Sequence, residues 1–157
     1  MADKRAEARR FVAQNRKARH NYHIDETLEA GIALFSTEVK SMRDGRCTLQ
    51  DAFAQERDGE IFLLNAHIAP YAPGGRFNHE PMRPRKLLLH RKQIEKLRGI
   101  LKQGGVTLIP LSIYFNGRGR AKVELALGRG KKEYDKRASE AARDWERQKG
   151  RLMRARG

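Results

Sequence analysis

Apolar and polar residues alternate along three stretches of the chain, and this period of two predicts β-strands. Over residues 22–34 the even positions are mostly apolar and the odd positions mostly polar, and residues 106–115 and 121–127 alternate in the same way. Gly31 in the first stretch allows a bend or bulge. Pro110 in the second indicates an edge or a bulge, because proline cannot donate a ladder hydrogen bond.

A hairpin is predicted between these stretches. Asp58-Gly59 is typical of a tight two-residue turn, and it joins predicted strands at residues 47–57 and 60–67. The prolines and glycines that follow, over residues 69–85, exclude regular ladders and helices and predict a long loop.

Two helices complete the predicted body. Ser36 and Thr37 offer N-cap hydroxyls to a short helix that Asp44-Gly45 ends. A longer helix ends at Gly104-Gly105, and its apolar residues recur at steps of three and four. These residues are Ile94, Leu97, Ile100 and Leu101.

The resulting order is strand, short helix, strand, strand, helix, strand, strand, which is the order of an OB-fold. We therefore expect a mainly β protein, a closed antiparallel β-barrel with a few short helices, although a mixture of strands and helices can also close differently. The expected divisions are a basic N-terminal arm at 1–20, the barrel at 21–127 and a basic C-terminal tail at 128–157. The tail has few apolar residues, so we expect it to be disordered when free and helical against a partner.

Charge indicates the class of partner. The 157 residues include 34 Lys and Arg against 19 Asp and Glu, a formal charge of +15 that favours a polyanion, above all a nucleic acid. In the arm, Arg16, Lys17 and Arg19 form a cluster suited to phosphate. The absence of an apolar run of about 18 residues argues against a membrane span and predicts a cytoplasmic protein without a membrane partner.

The sequence offers no pattern of catalytic chemistry. Its five histidines are scattered, and Cys47 is the single cysteine, which excludes a disulfide or a thiolate metal cage within one chain. The glycine-flanked Arg118 and Arg129 lack the strand-to-helix setting of a phosphate-binding loop, and no nucleophile elbow is present. We expect no catalytic residue, no metal and no cofactor.

Aromatic and charged side chains are candidates for RNA contact. Tyr22, Tyr71, Phe77 and Tyr114 are possible base-stacking residues, although a core or loop anchor is the more common role for any single aromatic residue. Arg83, Arg85 and Lys86 are added for their charge. The carboxylate of Glu38 can accept hydrogen bonds from base amino groups, or it can hold Lys40 or Arg43 in place.

Blocks spread along the chain resemble one family. They include Asn15-Arg16-Lys17-Ala18-Arg19-His20 before Tyr22, Thr37-Glu38-Val39-Lys40-Ser41, Arg85-Lys86-Leu87-Leu88-Leu89-His90 and Gly130-Lys131-Lys132 with Tyr134-Asp135-Lys136-Arg137. In this order they closely resemble the SsrA-binding protein, or small protein B, family of bacterial trans-translation. Ser36 departs from the pattern, since the family generally has glycine there.

The resemblance implies an OB-fold protein without catalytic activity that binds the tRNA-like part of transfer-messenger RNA. It implies delivery of that RNA, with elongation factor Tu and GTP, to the decoding centre of a stalled 70S ribosome. Family RNA contacts correspond here to Asn15, Lys17, Tyr22, Glu38 and Lys40. The implied ribosome-binding tail comprises Lys131, Lys132, Tyr134, Asp135, Lys136, Arg137, Trp145, Leu152 and Met153.

Two functions of other classes are also consistent with the residues alone. A structural ribosomal protein can combine a basic barrel with a cationic tail. A nuclease is a more distant alternative.

Overall fold

The three longest strands of the computed structural model, which describes residues 8–130 and 133–156, are those predicted from alternation. They are β2 (Tyr22–Ile32), β8 (Thr107–Asn116) and β9 (Ala121–Gly130). Strand β9 pairs antiparallel with β2 along one side and with β8 along the other. Their inward residues form the centre of the core.

Shorter strands complete the sheet: β1 (Arg9–Gln14), β4 (Phe53–Arg57), β5 (Glu60–Leu64) and β7 (Arg85–Leu88). The order is β1-β8-β4-β5-β7-β2-β9, and the additional pairing of β8 with β9 returns this order to β8. Strand β1 pairs with β8 and lies at the end of the order, so its other side is an edge with which no strand of residues 8–130 and 133–156 pairs. A separate two-stranded sheet joins β3 (Cys47–Thr48) to β6 (His67–Ile68). The protein is therefore mainly β, as predicted.

Four α-helices accompany these strands in the described part of the chain: α1 (Ala18–Asn21), α2 (Ser36–Arg43), α3 (Arg91–Gln103) and α4 (Glu133–Arg156). A 3-10 helix at Ala72–Phe77 lies in the segment that the sequence predicts to be a loop without helices. Helix α3 buries Ile94 and Leu97, as its spacing predicts. It ends at Gly104, where φ is +80°, a backbone conformation that glycine adopts without strain.

The core is formed by inward residues of the strands together with Met42 of α2 and Ile94 and Leu97 of α3. Its members come from most strands and carry β-branched or leucine side chains that suit a pleated surface. Fully buried examples are Ile61, Leu63, Leu87, Leu108, Ile113, Val123 and Leu125.

Several local predictions need correction. The bulge in β2 lies between Ile24 and Glu26 rather than at Gly31, where the absent side chain makes room for Leu88. The strand predicted over residues 47–57 is interrupted between Thr48 and Phe53. Strand β9 continues to Gly130, past the predicted end of the body. The bulge indicated by Pro110 is confirmed, since the β8–β9 register shifts between Pro110 and Ser112.

The described part of the tail forms helix α4, the conformation predicted for it against a partner, and its disorder in the free protein stays a prediction. Alanine, arginine, glutamate and lysine dominate this segment, and all have high helix propensity. Asp144 and Arg147 add an ion pair at 3.7 Å one turn apart. The helix therefore forms from local preference although it buries little apolar surface, with Trp145 remaining 59% exposed.

Candidate nucleic-acid interface

Asn15 fixes the turn between β1 and α1. Its backbone N–H donates to the Leu111 carbonyl at 2.8 Å, and its side-chain Nδ2 donates to the Pro110 carbonyl at 3.2 Å. This half-buried residue, predicted to contact RNA, therefore attaches the arm to β8. The neighbouring Arg16 and Lys17 side chains are exposed and suited to phosphate.

Tyr22 lies at the start of β2, half-buried against β9. A Cβ at Gly128 would approach the Tyr22 Cβ to 3.0 Å, so the glycine is what allows the tyrosine to sit there. Tyr22 also packs against the small cluster around Ala18 and Ala126. One part of this aromatic side chain is anchored, and the rest is accessible.

Glu38 forms the centre of a buried charge cluster behind α2. Its carboxylate is fully buried and accepts hydrogen bonds from the Arg85 guanidinium, from Arg83 Nη2 at 2.5 Å and from the Phe35 backbone N–H at 2.8 Å. Burial raises the pKa of this carboxyl, but the three hydrogen bonds and the charge of Arg85 outweigh burial and hold the pKa below its usual value. Glu38 therefore stays ionised and holds Arg83 and Arg85, not Lys40 or Arg43 as one interpretation expected.

Arg85 corrects the expectation that this arginine contacts RNA directly. Its guanidinium is fully buried, pairs with Glu38 and donates to the carbonyls of Ala66 at 2.6 Å and Pro81 at 3.0 Å. A buried cation needs this full set of partners, so the side chain is committed to the fold. Arg85 ties β7, the β5–β6 connection and the long loop to α2.

Arg83 lies at the surface of the same cluster. Its side chain is 25% exposed, and its guanidinium stacks on the Phe35 ring, 4.0 Å from the ring centroid. Phe35 is 55% exposed and was not among the aromatic candidates. An alternation pattern does not distinguish an exposed phenylalanine between a strand and the next helix from a core residue. Arginine and phenylalanine together present a planar, cationic surface.

The loop after β6 is attached to α2 by a series of polar contacts. His79, which is buried, contacts Thr37 Oγ1 through Nδ1 at 2.8 Å and the Ile68 carbonyl through Nε2 at 2.9 Å. Ser41 Oγ donates to the Ala69 carbonyl at 2.6 Å. The loop is thereby held close to α2, where the exposed Lys40 lies over the Tyr71 ring at 5.7 Å.

The remaining candidates differ in exposure. Phe77 is highly exposed, with the Arg76 guanidinium 5.0 Å from its ring centroid. Tyr114 is fully buried and donates its hydroxyl to Glu29, so it is an anchor and not a stacking surface. Lys86 is exposed and lies 3.8 Å from Glu60.

The structure describes the side chains of only some of the predicted tail residues. Arg137, Trp145 and Leu152 are exposed on α4. Tyr134, Asp135, Lys136 and Met153 belong to the α4 backbone, but their side chains lie outside the described residues, as do Lys131 and Lys132 entirely. Near the body, His20 of α1 contacts Glu140 at 3.3 Å and Arg143 at 2.8 Å.

Within residues 8–130 and 133–156, no three side chains of histidine, cysteine, aspartate or glutamate come together as a metal site would require. None of the helices in this part of the chain combines the length and the apolar character needed to span a bilayer.

Known proteins share this sequence and structure. The family model described as SmpB protein matches residues 12–155. SsrA-binding proteins of Bradyrhizobium sp. and Nitrobacter winogradskyi are 61% and 60% identical over 157 residues, covering all of this chain and all of each relative. A chain of the solved structure described as "tmRNA-SmpB: a journey to the center of the bacterial ribosome" has a TM-score of 0.64 at 55% identity, covering 76% of this chain and 84% of the other. These matches, which extend over nearly the whole length of the chain, show that it belongs to the SmpB protein family.

Proposed function

We propose that this protein binds transfer-messenger RNA, also called SsrA RNA, through the tRNA-like domain of that RNA, and acts in trans-translation. The observation that carries the proposal is the identity of about 60% with proteins named SsrA-binding proteins along the full length of the chain. The net charge of +15 supports a polyanionic partner. The proposed place of action is the cytoplasm, and no catalytic step, metal or cofactor is required.

The body is proposed to be an OB-fold barrel whose surface side chains divide into two roles. Groups that reach the surface contact the RNA directly: Arg16, Lys17, Tyr22, Lys40, Arg83 and Lys86. Asn15, Glu38 and Arg85 position these groups from behind. Because the positioning residues are fixed by several hydrogen bonds each, the contacting side chains lose less freedom on binding.

Helix α4 is proposed to act on the ribosome. In this proposal the protein delivers transfer-messenger RNA, with elongation factor Tu and GTP joined through the shared RNA, to a stalled 70S ribosome. The tail then enters the empty mRNA channel near the decoding centre. The exposed Arg137, Trp145 and Leu152 support this role, because large exposed side chains are available to contact a second surface.

A binding comparison tests the first step. Filter binding of the full-length protein should show tight, salt-sensitive binding to transfer-messenger RNA and much weaker binding to an unrelated duplex of equal length. Lys17→Ala should lower the slope of log affinity against log salt by about one, the effect of losing one phosphate contact. Lys102→Ala, an exposed lysine at the end of α3, serves as the matched control and should leave the slope unchanged. Equal affinity for the two RNAs would exclude the proposed function.

Truncation tests the division between body and tail. A chain of residues 1–130 retains every strand of the sheet, so it should bind transfer-messenger RNA nearly as well as the full chain. It should not support peptide tagging on stalled ribosomes in a reconstituted translation system. If truncation weakens RNA binding as strongly as it weakens tagging, the tail and the body do not have separate roles.

A further inference from the structure

A small polar cavity lies where β1, α1, β8 and β9 meet, and we name it the β1–β8 cavity. Its volume is about 290 Å³, at the lower end of the range for small-molecule pockets, about 300–1,000 Å³. The residues that line it include an aromatic, an acidic, a hydroxyl-bearing and two arginine residues. These are Phe11, Glu124, Ser112, Arg16 and Arg19.

Two irregularities of the sheet converge on this cavity. The β1–β8 register shifts between Phe11 and Ala13, and the β8–β9 register shifts between Pro110 and Ser112. Bulges re-aim side chains and are over-represented beside binding sites. Here both bulges lie next to the strand segment that carries Ser112.

Ser112 forms part of the cavity wall, and its hydroxyl lacks a partner. The residue is 4% exposed, and Oγ forms no hydrogen bond with any described residue. A hydroxyl buried in this way is costly unless a partner becomes available. A serine hydroxyl has three staggered positions about the Cα–Cβ bond, so Oγ can change direction without any movement of the backbone.

Glu124 lies beside Ser112 on the same face of the sheet, because the two residues are register partners across β8 and β9. Arg9 Nη1 donates to its Oε2 at 3.1 Å and fixes the carboxylate. A carboxylate has about four lone-pair sites, so acceptor capacity remains after this contact. The cavity wall therefore presents two adjacent hydrogen-bonding groups, the Ser112 hydroxyl, which can donate or accept, and the Glu124 carboxylate, which only accepts.

Phe11 supplies an aromatic surface. Its ring is 49% exposed and is held edge-on by the buried Tyr114 ring, with centroids 5.7 Å apart. A base stacks on such a ring regardless of its identity. The exposed Arg16 and Arg19 provide cations for the phosphates on either side of the base.

We propose that the β1–β8 cavity binds one unstacked guanine nucleotide of an RNA, an inference that rests on the proposed function as an RNA-binding protein. Phe11 stacks on the base, Glu124 accepts hydrogen bonds from its Watson–Crick edge, and Ser112 donates to its carbonyl. Unstacked bases recognised at that edge are the usual source of sequence preference in RNA binding.

Guanine is selected over the other bases by the acceptor-only carboxylate. The Watson–Crick edge of guanine presents two adjacent N–H donors and a carbonyl oxygen, which match a carboxylate and a hydroxyl. Adenine and cytosine present a ring nitrogen acceptor beside their amino donor, and uracil presents two carbonyls around one N–H. Each of these bases places an acceptor against Glu124, where it is repelled.

Short RNA oligonucleotides test this inference without tertiary structure. Fluorescence anisotropy at low salt should show that UUGUU binds the full-length protein at least about fivefold more tightly than UUAUU or UUUUU, the lower limit for one good bidentate contact. Guanosine monophosphate should compete only weakly, because it lacks the flanking phosphates. Equal binding of the three oligonucleotides would overturn the proposal, and equal competition by the free nucleotide would overturn RNA as the source of the base.

Variants separate base recognition from general attraction. Glu124→Gln should remove the preference for UUGUU, because an amide offers one acceptor and places donors against donors, whereas Glu95→Gln on α3 should retain it. Phe11→Ala should weaken the binding of all three oligonucleotides by a similar factor, because a base of any identity loses the ring on which it stacks. If Glu124→Gln keeps the guanine preference, the carboxylate does not read the base. Tight binding of transfer-messenger RNA without any guanine preference would reject this site and leave the proposed function standing. If the protein neither binds transfer-messenger RNA tightly nor prefers guanine, the site and the proposed function are both rejected.

Discussion

Replacing Glu38 by glutamine is expected to destabilise the fold strongly while leaving the shape of the side chain almost unchanged. The fully buried carboxylate accepts from Arg83, Arg85 and the Phe35 N–H, and the amide offers one oxygen where the carboxylate offers two. The fully buried Arg85 cation would lose its counter-charge while still lacking access to water. Breaking a buried ion pair by removing one partner costs about 3–5 kcal/mol.

We take the lower end of that range, about 3 kcal/mol, because Arg85 keeps its carbonyl acceptors on Ala66 and Pro81. For a domain of this size the loss corresponds to a fall in Tm of about 6–12 °C. The cost should depend on pH in a defined direction. The pKa of Glu38 is lower in the folded protein, so its contribution is complete above the unfolded value of about 4.3 and is lost as pH falls through the folded value.

The measurement is urea unfolding followed by far-UV circular dichroism for the wild type, Glu38→Gln and Glu95→Gln. Glu95 forms an exposed ion pair with Arg91 at 3.5 Å, so its glutamine variant is the matched control and should cost less than about 0.5 kcal/mol. The difference between wild type and Glu38→Gln should be constant from neutral pH to about 5 and shrink below. Equal effects of the two variants, or a difference that grows in acid, would refute the reasoning.

Three other expectations follow from single contacts. Tyr114→Phe removes the hydrogen bond of a buried hydroxyl to a carboxylate and should lower the free energy of unfolding in urea by about 1–2 kcal/mol. Burial and that carboxylate raise the pKa of Tyr114, so the greater stability of the wild type should be present below pH about 10 and decline above it. Burial raises the pKa of the Cys47 thiol to about 11, so iodoacetamide at pH 8 should modify native protein much more slowly than protein in urea; equal rates would contradict this. Gly128→Val should destabilise by about 1–3 kcal/mol, because its Cβ would lie 3.0 Å from that of Tyr22. Gly130→Val should cost less, because no atom of the described residues beyond its chain neighbours lies within 4 Å of the new Cβ.

The long strands and α3 were predictable because each has a clear period over ten or more residues. Strand β1 was not, since Arg9 and Arg10 dominate its composition and its pairing with β8 spans about a hundred residues of sequence. Strand β7 was hidden for another reason. It begins with Arg85, and an arginine is expected to be exposed to solvent unless a buried carboxylate partner is known. No feature of the sequence therefore indicates that this residue is buried within a strand.

The candidate interface shows the same limit. Residue type and family blocks identified Arg16, Lys17 and Lys40, which are exposed. They did not separate Arg83, which reaches the surface, from Arg85, which does not, because that difference depends on the position of Glu38 behind α2. A three-dimensional arrangement of charges more than forty residues apart has no local sequence signature.

The open edge of β1 has a consequence for solubility. An unpaired strand edge is a template for pairing with another copy of the same chain, and charged side chains along the edge oppose this. Arg9 and Arg10 provide that charge, so the cationic arm also protects the free protein against self-association. Neutralising these arginines should therefore promote aggregation, and RNA would protect the edge by covering it. An arginine variant that appears weak in binding must first be shown by light scattering to remain monomeric.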